Sequence, residues 1–282
     1  MFPKLLELGP LTVYSYGVLL AAAYLGGLQF ALVRARQRGL DAARIMDLGI
    51  YIIVSALLGA KLLLVIVDFD HFVQNPGDLM SLVRSGGVFY GGLLLAVAVG
   101  LWYVRKHHLP TWQVGDVVAP GIAFGHVVGR VGCFLAGCCY GRPTDLPWGV
   151  MFTNPLAAEN VGTPLGVPLH PTQLYEAGAE LVILVLLLAF EGKGRVFPGR
   201  TFWGYMLVYG ASRFVIEMFR GDPRGMVFGD VSTSQFISLL IVPLSLVMLY
   251  RLSRAVGSGA DGSKPSAARQ SGAARRQAGT RS

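Results

Sequence analysis

Seven stretches of mostly apolar residues divide this chain. Each approaches the roughly 20 residues a helix needs to cross about 30 Å of hydrocarbon. They run near 11–33, 45–67, 87–104, 115–137, 173–190, 200–219 and 235–250. A run such as Leu181-Val-Ile-Leu-Val-Leu-Leu-Leu-Ala189 does not alternate, which argues against a transmembrane β-barrel. Composition agrees. Hydrophobic residues make up 53% of the 282 and charged residues only 14%, against about 25% charged in an ordinary globular domain. The mean hydropathy of +0.55 excludes disorder over most of the chain. Glycine is abundant but follows no three-residue period, so a collagen helix is excluded. Three cysteines do not make a disulfide scaffold. The expected fold is an all-α integral membrane protein of about seven transmembrane helices, with residues 1–254 forming a single multi-pass domain.

Basic residues set the orientation, because cytoplasmic loops carry the Lys and Arg excess. Arg34, Arg36, Arg38 and Arg44 follow the first stretch, Arg105 and Lys106 the third, and Lys193, Arg195 and Arg200 the fifth. The tail adds Arg251, Arg254, Lys264, Arg269, Arg275, Arg276 and Arg281. The opposite side has only Lys4, Arg84, Arg142, Arg220 and Arg224. The N-terminus is therefore expected outside and the C-terminus in the cytoplasm. The first apolar stretch is long enough to span and lacks a clear positive leader, so no cleavable signal is expected. Residues 255–282 read as a basic, disordered cytoplasmic tail near anionic lipid. The net charge of +8 is mostly this topology signal, and no nucleic-acid partner is expected. The long connection near 138–172, rich in Pro and Gly, reads as a small irregular cap on the outer (periplasmic) face.

Charge inside a span costs about 2.5–3.5 kcal/mol on the insertion scale, so it needs a partner, a watery cavity or a polar ligand. Lys61, Arg130 and Arg213 fall inside spans, and Asp116, Glu176 and Glu217 lie in or at the ends of spans. Arg213 and Glu217 are four residues apart and share a helix face. They read either as a self-neutralising pair or as an anion-binding Arg213 oriented by its neighbour. Arg130 has no acid three or four residues away on its own helix. It reads as a ligand site, because the guanidinium fork makes paired, charge-assisted bonds to phosphate. Glycines at 125, 129, 132, 137 and 141 surround it, consistent with close helix packing and with room for a polar headgroup. Cys133, Cys138 and Cys139 lack the paired spacing of zinc sites and read as small buried apolar residues, so no metal and no cofactor is expected. In His170-Pro-Thr-Gln-Leu-Tyr-Glu176, Thr172 is the expected N-cap of the fifth span.

Five stretches together resemble the bacterial prolipoprotein diacylglyceryl transferases. They are Tyr14-Ser-Tyr-Gly17, Gly86-Gly-Val-Phe-Tyr-Gly-Gly92, Gly129-Arg-Val-Gly132 continuing to Gly141-Arg142, His170–Glu176, and Tyr209-Gly-Ala-Ser-Arg-Phe-Val-Ile-Glu217. They occur in the family's order, over roughly residues 10–250. The resemblance implies an enzyme of the bacterial inner membrane. Such an enzyme moves the diacylglyceryl group of phosphatidylglycerol to the lipobox cysteine thiol of a prolipoprotein, leaving a thioether and glycerol phosphate. It implies Arg130, Tyr16, Gly141 and His170 around the headgroup, and Arg213, Glu217, Tyr90 and Tyr209 around the reacting groups. Two departures stand out. Tyr90 occupies the place of a histidine that many members carry and that is a proposed general base, and a tyrosine of ordinary pKa near 10 is a poor base. Cys133 and Cys138 occupy the places of the family's Asn and Glu. Proton removal is left to Glu217, to water or to a tyrosine held near the arginines. Two other readings of the same residues are a multi-pass transporter of an anionic solute, with Arg130 and Arg213 along its path, and a membrane thiol oxidoreductase using the three cysteines.

Overall fold

The structure is a computed structural model, and it describes all residues except 1, 9–10, 76, 78–86, 195, 224, 230 and 262–282. Its elements in chain order are β1 (Lys4–Leu8), β2 (Leu11–Tyr14), α1 (Ser15–Gln37), α2 (Ala42–Val67), α3 (Phe69–Gln74), α4 (Phe89–Lys106) and α5 (Thr111–Ala136). Then follow β3 (Val150–Met151), α6 (Pro155–Val161), β4 (Pro168–Leu169), α7 (Thr172–Ala189), α8 (Arg200–Glu217), β5 (Met226–Phe228), β6 (Val231–Ser232) and α9 (Thr233–Asp261). Among the described residues, five helices are long and apolar enough to cross a membrane: α1, α2, α5, α7 and the Thr233–Ala255 part of α9. Two further helices of 18 residues, α4 and α8, coincide with the remaining apolar stretches. Large apolar side chains point outward from several helices, among them Leu58, Leu62 and Ile66 on α2 and Val182 and Val185 on α7. This suits a lipid surround rather than water.

Two expected boundaries shift. Residues 11–14, read as the start of the first span, form a strand paired antiparallel with β1, and the helix begins at Ser15. Ser15 is buried and ties this turn back, its hydroxyl donating to the Phe2 carbonyl and its N–H to Pro3 O at 3.0 Å. At the other end α9 runs on to Asp261, past the expected start of the tail at 255, while 262–282 lie outside the described residues.

The helices close on one another where side chains vanish. Gly27 of α1 and Gly121 of α5 face each other so tightly that a Cβ on either would lie 2.8 or 2.4 Å from the other's carbonyl oxygen. Gly59 and Gly91 repeat the arrangement between α2 and α4, at 2.4 and 2.3 Å. In lipid no hydrophobic force draws helices together, so such backbone contact supplies the packing. Buried Ala31, Leu32, Ile45, Leu48, Tyr103 and Val114 pack between α1, α2, α4 and α5, and Ala119, Ala123, Ile183, Leu184 and Tyr205 between α5, α7 and α8.

Asp116 fastens α8 from outside that helix. Its carboxylate accepts Gly199 N at 2.8 Å and Phe202 N at 2.9 Å, with Arg38 Nη1 3.5 Å away. Helix N-termini leave N–H groups unpaired, and here a buried carboxylate of α5 meets two of them. Asp116→Ala is expected to cost about 1–3 kcal/mol for each orphaned N–H. Thermal unfolding in detergent would show it as a lowered midpoint; an unchanged midpoint would contradict the capping role.

The connection between α5 and α7, expected as an irregular cap, holds ordered packing of its own. Tyr140, Phe152 and Leu169 form a small core of their own, with Phe134 and Val150 against it. Tyr140 OH donates to Gly162 O at 3.1 Å, and Thr163 Oγ1 donates to Gly137 O at 2.9 Å.

Candidate active site

Three helices contribute one polar stripe. α5 supplies His126 and Arg130, α7 supplies Glu176 and Glu180, and α8 supplies Tyr205, Tyr209, Arg213 and Glu217. Within each helix these residues are spaced by four, so they share a face. Arg130 lies fourteen residues beyond Asp116 on α5, about 21 Å along the axis at 1.5 Å per residue.

Glu176 is the hub of the stripe. Its Oε2 lies 2.6 Å from Arg130 Nε, and its Oε1 accepts from Arg220 Nη1 at 2.9 Å and Arg213 Nη1 at 3.3 Å. Arg213 Nη2 lies 2.6 Å from Glu217 Oε2 and donates to Ser234 Oγ at 3.1 Å. Arg220 grips Asp222 with Nε at 2.8 Å and Nη2 at 2.9 Å. Three guanidiniums thus meet three carboxylates, which is how a low-dielectric site tolerates them. The sequence reading left Arg130 without a partner because it considered its own helix; the partner comes from α7.

Arg130 differs from the other two. Its side chain is 22% exposed, against 7% for Arg213 and 3% for Arg220. It meets Glu176 through Nε, and among the described residues its two terminal nitrogens have no partner. That leaves a two-toothed donor at the edge of the arginine–carboxylate network.

Further along the stripe, toward the Asp116 end, Glu180 Oε1 lies 2.6 Å from His126 Nδ1 and accepts Tyr205 OH at 3.3 Å. Tyr209 stacks on Tyr205 with ring centroids 5.6 Å apart, and its ring is 5.4 Å from that of His126. Tyr209 therefore separates the His126–Glu180 pair from the arginines.

The connection between α5 and α7 is sewn to the helix ends at residues 140–142. Gly141 N donates to His170 O at 3.0 Å, Arg142 N to Phe219 O at 2.9 Å, and Gly221 N to Tyr140 O at 3.1 Å. A Cβ at Gly141 would sit 2.5 Å from both His170 O and His170 Cβ, and 2.8 Å from Phe219 O. Only glycine fits where three segments touch. Beside it, His170 Nδ1 and Trp148 Nε1 both reach Tyr175 OH, at 3.1 and 2.8 Å, and Phe219 packs on the His170 and Tyr175 rings. Such amphipathic rings favour the membrane interface.

Thr172 is not the expected N-cap. Pro171 holds that position, and Thr172 is the first helical residue, donating its hydroxyl to Cys139 O at 2.8 Å. Gln173 Nε2 donates to Cys138 O at 2.8 Å. The first turn of α7 thereby pins the segment that follows α5. The sulfurs of Cys133, Cys138 and Cys139 all lie within 4.8 Å of one another. Contacts with the Cys133 and Cys138 thiols pull the Cys139 thiol below its ordinary range, and the charges of Arg220 and Arg130 act in the same direction against its burial. Tyr16 of α1 lies within electrostatic reach of all three thiols, with its ring 3.4 Å from where a Cβ on Gly132 would stand.

Tyr90 stands in the first turn of α4, lining a cavity of about 110 Å³ with Gly225, Thr233 and Ser234. Ser234 holds Arg213, so this cavity adjoins the arginine network. Of the residues expected at the site, Arg130, Arg213, Glu217 and Tyr209 converge, Tyr90 approaches across the cavity, Gly141 and His170 form the rim, and Tyr16 stands on the thiol side. The sequence reading missed Glu176 as the shared carboxylate, the Arg220–Asp222 pair, Ser234, and Glu180 with Tyr205. The spacing of four in Glu176/Glu180 and in Tyr205/Tyr209/Arg213/Glu217 was the available signal.

A family model described as prolipoprotein diacylglyceryl transferase matches residues 3–251. The chain belongs to this family. A phosphatidylglycerol–prolipoprotein diacylglyceryl transferase of Clostridium tetani is 38% identical, covering 87% of this chain and 96% of the relative. A second, from Clostridium perfringens, is 33% identical over 92% and 98%. One from Synechococcus elongatus is 30% identical over 90% and 89%. The matched span contains every residue of the arginine network and all three cysteines.

Proposed function

We propose that this protein is a phosphatidylglycerol–prolipoprotein diacylglyceryl transferase of the bacterial inner membrane, acting in lipoprotein maturation. Family membership supports the reaction. The observation that carries the site is Arg130, held by Nε against Glu176, with a side chain more exposed than those of Arg213 and Arg220. The terminal fork of Arg130 binds the phosphate of phosphatidylglycerol in this reading, with Arg213 behind it. As the glycerol C–O bond breaks, negative charge grows on the phosphate, and fixed guanidiniums stabilise that growth without reorganising. Glu176 and Glu217 keep the arginines buried and aimed. Tyr209 closes the site from the membrane side, Tyr90 and Tyr16 flank it, and Gly141 and His170 shape the rim that receives the headgroup. The substrate cysteine supplies the sulfur and must lose its proton to attack carbon.

The topology belongs to the same proposal. Residues 1–254 form one multi-pass domain of seven spans, with the N-terminus outside and the C-terminus inside. The segment 138–172 caps the outer face and 255–282 is a basic cytoplasmic end. Support comes from the asymmetry of Lys and Arg among the loops and from α4 and α8 completing the set of long helices.

The test uses membranes containing the full chain, phosphatidylglycerol labelled in its glycerol backbone, and a lipobox peptide. Label is expected on the peptide as a thioether that resists hydroxylamine, with none on a peptide carrying Cys→Ser. Label-free peptide in both arms would overturn the assignment.

A further inference from the structure

The three cysteines form a cluster that the reaction so far leaves idle. Cys133 is in the last turn of α5. Gly137, at φ +87°, ends that helix, and Cys139 adopts φ +64°, a left-handed backbone unusual for a side chain other than glycine. Thr172 and Gln173 hold the two carbonyls of the turn. The result is three sulfurs within 4.8 Å of one another, and among the described residues no fourth His, Cys, Asp or Glu joins the group. Tetrahedral zinc with Zn–S near 2.3 Å requires sulfurs about 3.8 Å apart, so the cluster needs to contract by about 1 Å at most. Cys133 is buried, whereas Cys138 and Cys139 are half-buried, so the cluster is not sealed on all sides. Structural zinc sites are closed by four ligands, whereas sites with three protein ligands keep one position for a substrate.

We propose that Cys133, Cys138 and Cys139 bind one Zn²⁺ and that the lipobox cysteine of the substrate peptide becomes its fourth ligand. The metal site stands on the sulfur geometry; its use rests on the transferase reading. Zinc deprotonates a coordinating thiol outright. That supplies the proton removal for which Tyr90 is poorly suited. The substrate S–H gives its proton to water. Its sulfur, bound as thiolate, attacks the diacylglycerol carbon; the C–S bond forms as the C–O bond to phosphate breaks, and that electron pair leaves on glycerol phosphate. No electron acceptor is needed. Three thiolates and Zn²⁺ carry one net negative charge, two once the substrate thiolate binds, and the positive charges of Arg130 and Arg220, whose fields reach Cys139, act against it.

The test is metal analysis of the full chain in nanodiscs with no added chelator, followed by Co²⁺ replacement. About one zinc per chain is expected, with Zn²⁺ affinity falling in each of Cys133→Ser, Cys138→Ser and Cys139→Ser by at least the roughly 10–100-fold that losing even an outer partner costs. The Co²⁺ spectrum is expected to show sulfur charge transfer. It should change on adding the lipobox peptide and stay unchanged with the Cys→Ser peptide. Chelation is expected to lower transfer about 100-fold, the scale of a lost proton acceptor, with zinc restoring it and phosphatidylglycerol retention unaffected. Metal-free protein that transfers at full rate, whether its thiols are free or disulfide-bonded, would overturn the proposal. So would a cobalt spectrum blind to the peptide thiol. Protein that binds zinc and shows the peptide-induced change yet transfers nothing would sink the transferase reading and uphold the metal site.

Discussion

Glu176→Ala is expected to be the most damaging single substitution in this protein. The carboxylate touches Arg130, Arg213 and Arg220 at once. Removing it leaves three guanidiniums with only Glu217 and Asp222 to balance them, in a niche where two of the three are almost wholly buried. Breaking one buried pair costs about 3–5 kcal/mol, because the remaining charge stays desolvated. Transfer is expected to fall at least about 100-fold, the penalty that small misplacement of reacting groups imposes. Thermal unfolding and label transfer, measured on the same preparation, should fall together. Glu176→Gln keeps an acceptor but not the charge and should fall between wild type and Glu176→Ala. Full transfer by Glu176→Ala would show that the arginines hold their positions without the carboxylate.

The second large effect is expected at a residue with no side chain. Gly141→Val would drive carbon into the His170 and Phe219 carbonyls and into His170 Cβ. These atoms belong to the entrance of α7 and the exit of α8, the two helices that carry Glu176 and Arg213. Overpacking of this kind costs about 1–3 kcal/mol. The greater consequence is that it levers the two helix ends apart. Transfer should drop about 100-fold while the midpoint of unfolding moves modestly. Gly141→Ala should show a smaller version of both changes. A Gly141→Val protein with wild-type transfer would mean that this junction does not set the spacing of the arginines.

The membrane helices were legible because lipid imposes a length and a composition on whatever crosses it. Their starts were less so. Residues 11–14 are apolar enough to begin a span, yet Thr12, Val13 and Tyr14 suit a strand, and β1 offers a partner that hydropathy does not register. The arginines at 130 and 213 stood out because charge is rare in such segments. Their shared partner did not, because Glu176 lies in a different helix. The same limit hid the cysteines. Spacing along the chain argued against a metal, but a left-handed residue at 139 and two side-chain bonds from α7 fold the turn back until three sulfurs meet. Thr172 shows the converse: a strong capping residue by type, drawn instead to the Cys139 carbonyl.

The most direct test is retention of phosphatidylglycerol by Arg130→Ala and wild type, purified in nanodiscs and measured by native mass spectrometry against phosphatidylethanolamine. Wild type should retain phosphatidylglycerol selectively, and Arg130→Ala should lose that preference by roughly tenfold or more, the scale of a charge-assisted hydrogen bond. Equal retention by the two proteins would contradict the assignment of the Arg130 fork to the lipid phosphate.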